Sequence, residues 1–182
     1  TQHARMVAKL DAFLDAPQKI FQKYSGKPDN PIKRYSLAIA HYRNASLNKA
    51  VAKINTLISE FPKDPFYKEL KGQILFENSK IGGALLEYEK AVTMLPSAPL
   101  LRVSLAHAML ESNKNNVATE ARAHLRYAVL RDRRIPLAWR LLATANGRLG
   151  YLGLSALAAA EYNLLIGRKK DAIRQATRAI KL

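Results

Sequence analysis

Few side chains in this sequence stand at spacings that support chemistry. The four histidines are His3, His41, His107 and His124. A zinc hydrolase of the H-E-x-x-H type sets two imidazoles on one helical face with a carboxylate base between them. None of these histidines has a second one three to five residues away. His107 and His124 can approach across a helical hairpin, but no third ligand accompanies them, so ordinary solvated or hydrogen-bonded imidazoles are expected. Glu69 and Glu77 share a helix face, yet the intervening helix separates them by ~12 Å, too far for a glycosidase-type carboxylate pair. Glu87 and Glu89 are two residues apart and point in different directions. Gly82-Gly83 lacks the G-K-[ST] of a phosphate loop, and no serine or threonine has a nucleophile context. The chain has no cysteine, which excludes disulfides and thiolate metal sites. The residues predict no catalytic group, no metal site and no cofactor in this chain.

What the residues do specify is a repeating scaffold. Asp64-Pro65 opens one unit with a side-chain oxygen at a helix N-cap and proline at the first helical position. Gly72, Ala84, Tyr88, Ala91 and Pro96 follow at fixed intervals. Thirty-four residues earlier the same slots hold Pro31, Ala38, Ala50, Ile54, Leu57 and Pro62, and Pro99 and Ala106 fall into register after it. A period near 34 with two helices per unit resembles a tetratricopeptide array. The expected fold is therefore all-α, a right-handed superhelix of antiparallel helix pairs. Small residues at Ala38, Gly72 and Ala106 mark places where helices cross closely.

Residues 1–30 are expected to form an N-terminal cap of two helices broken at Ala16-Pro17, the first placing Met6, Val7, Leu10, Phe13 and Leu14 on one face. Repeats follow at 31–64, 65–98, 99–135 and 136–182. The third is longer than the period, and its extra residues are assigned to a polar turn at Asn113 to Thr119. After Gly150 the register changes. One helix over 152–166 closes the fourth repeat and begins the next, and a last helix over 169–181 is expected to turn Ala172, Ile173, Ala176, Ala179 and Ile180 inward. About eleven helices and no sheet are predicted.

Composition sets the bounds on partners. Of 182 residues 48% are hydrophobic, enough for a continuous core. The longest nearly apolar stretch, Leu152 to Ala160, is far short of the roughly 20 residues needed to span a bilayer. No apolar signal-peptide region is visible, and the opening at Thr1 reads as the middle of a helix, as in a fragment or processed product. The net charge of +16 is skewed towards the second half: residues 91–182 carry 15 Lys and Arg against 5 Asp and Glu, the first 90 carry 15 against 9. Such a field favours acidic partners, an anionic membrane surface or nucleic acid.

The first helices of stacked hairpins line the side on which such arrays bind extended segments. Projection of the repeat places Tyr35, Ile39, Tyr42 and Arg43 on that side from repeat one. Repeat two adds Glu69, Gln73, Phe76 and Glu77, repeat three Val103, His107 and Leu110, and repeat four Arg140, Thr144 and Arg148. This mixture suits a protein or peptide partner. The competing reading packs Tyr35, Tyr42 and Phe76 between helices.

Three segments go beyond a generic array: ARMVAKLDAFLDAPQKIFQKYSG at the start, Leu70-Lys71-Gly72-Gln73 with Glu77-Asn78, and Leu137 to Ala145 followed by Gly150 and Gly153-Leu154. Together they resemble the C-terminal repeat region of bacterial periplasmic zinc metallopeptidases, the family of the beta-barrel assembly-enhancing protease. The resemblance implies a non-catalytic interaction domain in envelope protein quality control, located in the periplasm and binding clients or its own protease domain. It implies zinc only in a peptidase domain absent from this sequence, since H-E-x-x-H and the third ligand are missing and no catalytic residue carries over. A free-standing assembly adaptor fits the same residues. A helical-repeat nucleic-acid binder is the alternative of a different class, motivated by +16 and the arginines between Arg122 and Arg148. Against it, repeat-coded RNA readers need equivalent base-reading positions in each unit, and here those slots vary without order.

Overall fold

In the computed structural model, residues 2–112 and 116–182 are described. Asn113, Lys114 and Asn115, the first three residues of the inserted turn, lie outside the described residues. Among the described residues there are eleven helices and no strand: α1 (Gln2–Leu14), α2 (Pro17–Tyr24), α3 (Pro31–Arg43), α4 (Leu47–Glu60), α5 (Pro65–Glu77), α6 (Ile81–Met94), α7 (Pro99–Glu111), α8 (Val117–Arg131), α9 (Pro136–Arg148), α10 (Leu152–Leu165) and α11 (Lys169–Lys181). The first helices of the repeats, α3, α5, α7 and α9, are termed A and their partners, α4, α6, α8 and α10, B. The sequence reading put Val117, Ala118 and Thr119 in the inserted turn, but they already belong to α8.

Two kinds of connection alternate along the chain. Where a B helix gives way to an A helix, proline occupies the first turn of α5, α7 and α9, where its missing N–H costs nothing. Pro17 and Pro31 open α2 and α3 in the same way. The Asn30 side chain accepts a hydrogen bond from the Lys33 N–H at 2.9 Å, and the Asp64 carboxylate accepts one from the Phe66 N–H at 2.9 Å. Each such cap contributes about 1 kcal/mol.

Where an A helix turns into a B helix, one residue takes the left-handed conformation: Ala45 (φ 53°), Ser79 (φ 59°) and Gly150 (φ 77°). The next residue's N–H reaches back across the turn, from Ser46 to the His41 carbonyl at 2.8 Å, Lys80 to Leu75 at 2.9 Å and Tyr151 to Asn146 at 2.9 Å. This is the Schellman closure, which satisfies the last helical carbonyls. Gly167 (φ 79°) repeats it between α10 and α11, with the Arg168 N–H on the Asn163 carbonyl at 2.8 Å. The α10–α11 connection thus has A-to-B geometry, and α10 packs closely along both α9 and α11. One helix closes a pair and opens another, as the change of register predicts.

The chain forms two compact units, Thr1–Glu87 and Tyr88–Leu182. In the first, α1 and α2 pack on α3, α3 on α4 and α4 on α5. The core there is Ile20, Tyr35, Ala38, Ile39, Ile54, Leu57, Leu70 and Ile74. In the second, α7–α8, α8–α9, α9–α10 and α10–α11 are the packed pairs, around Leu101, Leu105, Ala106, Leu125, Leu141 and Leu142. Ala38, Gly72 and Ala106 are all buried, as expected of crossing positions.

Two amphipathic helices are turned differently from the expectation. In α1 the small Ala8 and Ala12 are buried, while Met6, Val7, Leu10 and Leu14 are 59%, 43%, 53% and 80% exposed. Alanines four residues apart let the axis of α1 approach α3 closely, which bulky side chains would prevent. In α11, Ala172 is buried, but Ile173 and Ile180 are 67% and 87% exposed rather than facing inward. The reason is that α10 is the neighbour along which α11 packs, so only one side of it is covered.

Ala45 holds a conformation that costs an L-residue roughly 1–2 kcal/mol. Replacing it with glycine removes that cost and adds back about 0.4–1 kcal/mol of unfolded-chain entropy. Ala45→Gly is therefore expected to stabilise the chain by roughly 0.5–1 kcal/mol, read as a higher urea midpoint. A lower midpoint would contradict the turn assignment.

Candidate functional site

The groups that chemistry would need are absorbed into packing. Among the described residues no cluster of three or more His, Asp or Glu is placed to hold a metal ion, and no helix is long and apolar enough to cross a membrane. The Nδ1 of His124 lies 3.0 Å from the Arg102 guanidinium, which can only donate. Nδ1 therefore accepts, and the ring proton sits on Nε2, which lies 3.9 Å from the Glu120 carboxylate. Burial first, then the Arg102 charge, lowers the His124 pKa. Burial likewise lowers His107 and, beside Phe21, His41. The buried Glu87 carboxylate pairs with Lys71 at 3.1 Å.

In the first unit the A-helix face carries an occupant, and it is α1. This helix packs along α3 and reaches as far as α5. The Arg5 guanidinium forms an ion pair with Asp64 and lies 4.9 Å and 5.2 Å from the ring centres of Phe66 and Tyr67. One turn on, the Lys9 ammonium is 3.1 Å from Glu69. Phe13 meets Tyr42 edge-on at 6.4 Å. At the C-terminal end of α1 the Arg43 guanidinium donates to the Ala12 carbonyl at 3.0 Å and to the Asp15 carbonyl. A cation there satisfies free carbonyls and opposes the negative end of the helix dipole.

The residues projected onto the A face from repeats one and two thus separate into two groups. Tyr35 and Ile39 are buried core; burial, with the Glu69 charge second, pushes the Tyr35 phenol well above its ordinary pKa. Tyr42, Arg43 and Glu69 hold α1. Further along α5, the Gln73 side-chain amide donates to Glu77 at 2.9 Å, Phe76 is half-buried and Glu77 exposed. Local desolvation of its carboxyl by neighbouring side chains raises the Glu77 pKa.

In the second unit Val103 and Leu110 are buried, His107 is half-buried, and Arg140, Thr144 and Arg148 are exposed. The Arg148 guanidinium donates to the Leu110 carbonyl at 2.6 Å, tying α9 to α7. Several arginines of this unit are engaged internally. Arg122 stacks on Tyr151 at 4.9 Å and donates to the buried Asn146 at 2.7 Å. Arg102 and Arg131 lie 4.1 Å and 5.3 Å from the ring centre of Tyr127.

Sequence reasoning put α1 in a cap on the first repeat but missed which of its faces turns inward. Its signal was available in Ala8–Ala12 and Arg5–Lys9, two interleaved pairs at i,i+4 that put small and cationic side chains on one stripe. The larger apolar residues outweighed them in the hydrophobic periodicity.

No family model and no curated protein matches the sequence. Solved structures do match in fold. The thermophilic TPR protein TTC0263 of Thermus thermophilus is 18% identical, with TM-score 0.69, covering 100% of this chain and 99% of its own. MamA from Desulfovibrio magneticus RS-1 is 16% identical, with TM-score 0.70, covering 92% and 96%. A further MamA crystal structure is 11% identical, with TM-score 0.65, covering 80% and 93%. The fold is that of a tetratricopeptide-repeat protein, all-α throughout the described residues.

The three half-buried imidazoles fix the sign of a pH effect. Each has a folded-state pKa below its unfolded value of about 6.5, so the unfolded chain takes up protons first as pH falls. Stability is expected to be greatest above that value and to decline from pH 7 to pH 5, with proton uptake on unfolding measurable by calorimetry in two buffers of different ionisation enthalpy. Stability that rises over this interval would contradict the neutral, packed histidines.

Proposed function

We propose that this chain is a non-catalytic protein-binding repeat module whose A helices receive a polypeptide segment. The observation that carries the reading is α1. A helix held lengthwise by Asp64, Glu69, Tyr42 and Arg43 is what a bound segment would look like, supplied here in cis. In the second unit the corresponding residues Arg140 and Thr144 are exposed, with His107 half-buried beside them on α7. They offer hydrogen bonds and positive charge to a partner in trans.

The finer assignment rests on the resemblance of the three segments quoted above. In it the chain serves a periplasmic zinc endopeptidase of the envelope, presenting misassembled client proteins or packing against the peptidase domain. Zinc belongs to that H-E-x-x-H domain and not to these residues. Nucleic acid is the weaker reading because Tyr127 and Tyr151, aromatic faces on which bases would stack, are occupied by Arg102, Arg131 and Arg122.

The test is titration of the full chain with an H-E-x-x-H peptidase domain of this family and, separately, with an unfolded outer-membrane β-barrel protein. Arg140→Glu/Thr144→Lys is expected to weaken binding of one of them by about tenfold or more without changing the melting temperature. Undiminished affinity for both, or retention of RNA at low salt in their place, would contradict the reading.

A further inference from the structure

The C-terminal pair of helices carries an open apolar cleft. It lies where the start of α10 meets the end of α11, and its volume is about 690 Å³. Its apolar walls are Leu152, Leu154 and Leu157 from α10 and Ile180 and Leu182 at the end of α11, with Ala176 and Ala179 also lining it. The wall residues are between 46% and 87% exposed. This is a large uncovered apolar surface for a chain with 30 Lys and Arg.

Its shape and charge define what fits. On α11, Ile173, Ala176 and Ile180 follow at i, i+3 and i+7, the seam along which one helix packs on another. Leu154 and Leu157 continue the i, i+3 spacing on α10. A helix ridge seats between two such rows of side chains. Immediately beside it a second hollow is lined by Arg174, Thr177, Arg178 and Lys181, with Leu182 common to both. Arg174 is paired with Asp171 at 2.8 Å. Arg178 and Lys181 are exposed and have no carboxylate partner among the described residues.

We infer that the α10–α11 cleft is a docking site for an amphipathic helix of another protein, its apolar stripe seated on Ile180 and Leu157 and its acidic flank on Arg178 and Lys181. The charge selects against a second copy of this chain, since two bodies of +16 repel. The site is separate from the A-helix face, so it stands or falls independently of the function proposed above.

The experiment uses the full chain and two 18-residue helical peptides of the same Leu spacing, one with Glu along a single flank and one with Lys in the same places. Fluorescence anisotropy is expected to show saturable binding of the Glu peptide and at least about tenfold weaker binding of the Lys peptide. Leu157→Asp and Arg178→Glu/Lys181→Glu, all at exposed positions, should each weaken the Glu peptide by a similar factor. The second variant should also reverse the preference between the peptides. Equal binding of both peptides, or affinity unaffected by Leu157→Asp, would overturn the inference. So would stronger partition of the wild-type chain onto phosphatidylglycerol vesicles than onto the Glu peptide, abolished by the same substitutions. Concentration-dependent self-association lost in Leu157→Asp would likewise assign the cleft to a second copy and overturn it.

Discussion

A pair of short antiparallel helices cannot bury its own apolar surface, and each pair in this chain depends on a neighbour to do so. Nesting of neighbours in turn depends on side chains small enough to let axes approach, which is the role of Ala38, Gly72 and Ala106. The left-handed turns at Ala45, Ser79, Gly150 and Gly167 set the return of the α3–α4, α5–α6, α9–α10 and α10–α11 hairpins. The same requirement explains both ends of the chain. At the start, the exposed side of α3 is covered by α1 and α2. At the end, α11 packs along α10 and keeps Ile173 and Ile180 in water.

Charge decides what covers what. Carboxylates are scarce, 14 against 30 Lys and Arg, and those at Asp64 and Glu69 are placed on the A-helix side of the first unit. Cations at Arg5 and Lys9 are therefore drawn to that face, and the helix that bears them turns its alanines inward and its larger apolar residues outward. Partly buried pairs of this kind are screened less by salt than surface pairs, and the stacking of Arg5 on Phe66 and Tyr67 adds about 0.5–2 kcal/mol. In the second unit, where acidic residues are fewer, arginines settle on tyrosine faces and carbonyls instead. One excess of positive charge thus gives an occupied face in one unit and exposed arginines in the other.

The helices and their order were legible because proline at N1, small residues at crossings and turn residues after each A helix recur at a fixed period. Those signals are local and repeat several times, so errors in one are corrected by the next. The shared role of α10 was legible for the same reason: Gly150 and Gly167 both mark A-to-B turns. The orientation of α1 and α11 was not. Each lies at the edge of the repeat, where which face is buried depends on what lies opposite. The larger apolar residues Met6, Leu10, Ile173 and Ile180 give the wrong answer, and Ala8, Ala12 and Ala172 give the right one. For the projected face, the positions on the A helices followed from the period, but that α1 would lie against Tyr42, Arg43 and Glu69 required the packing of a segment that has no repeat partner.

The central claim, that charge holds α1 on the A helices as a bound segment, is tested most directly by amide hydrogen exchange of α1. In the wild-type chain the amides of residues 6–14 should be protected well beyond those of an isolated helix, since a helix this short is marginal alone. Glu69→Lys should accelerate them by about tenfold or more while α3 and α4 are unchanged, and Lys9→Glu/Glu69→Lys should restore protection. Exchange of the wild-type α1 at the rate of a free peptide, or protection indifferent to Glu69→Lys, would contradict the account.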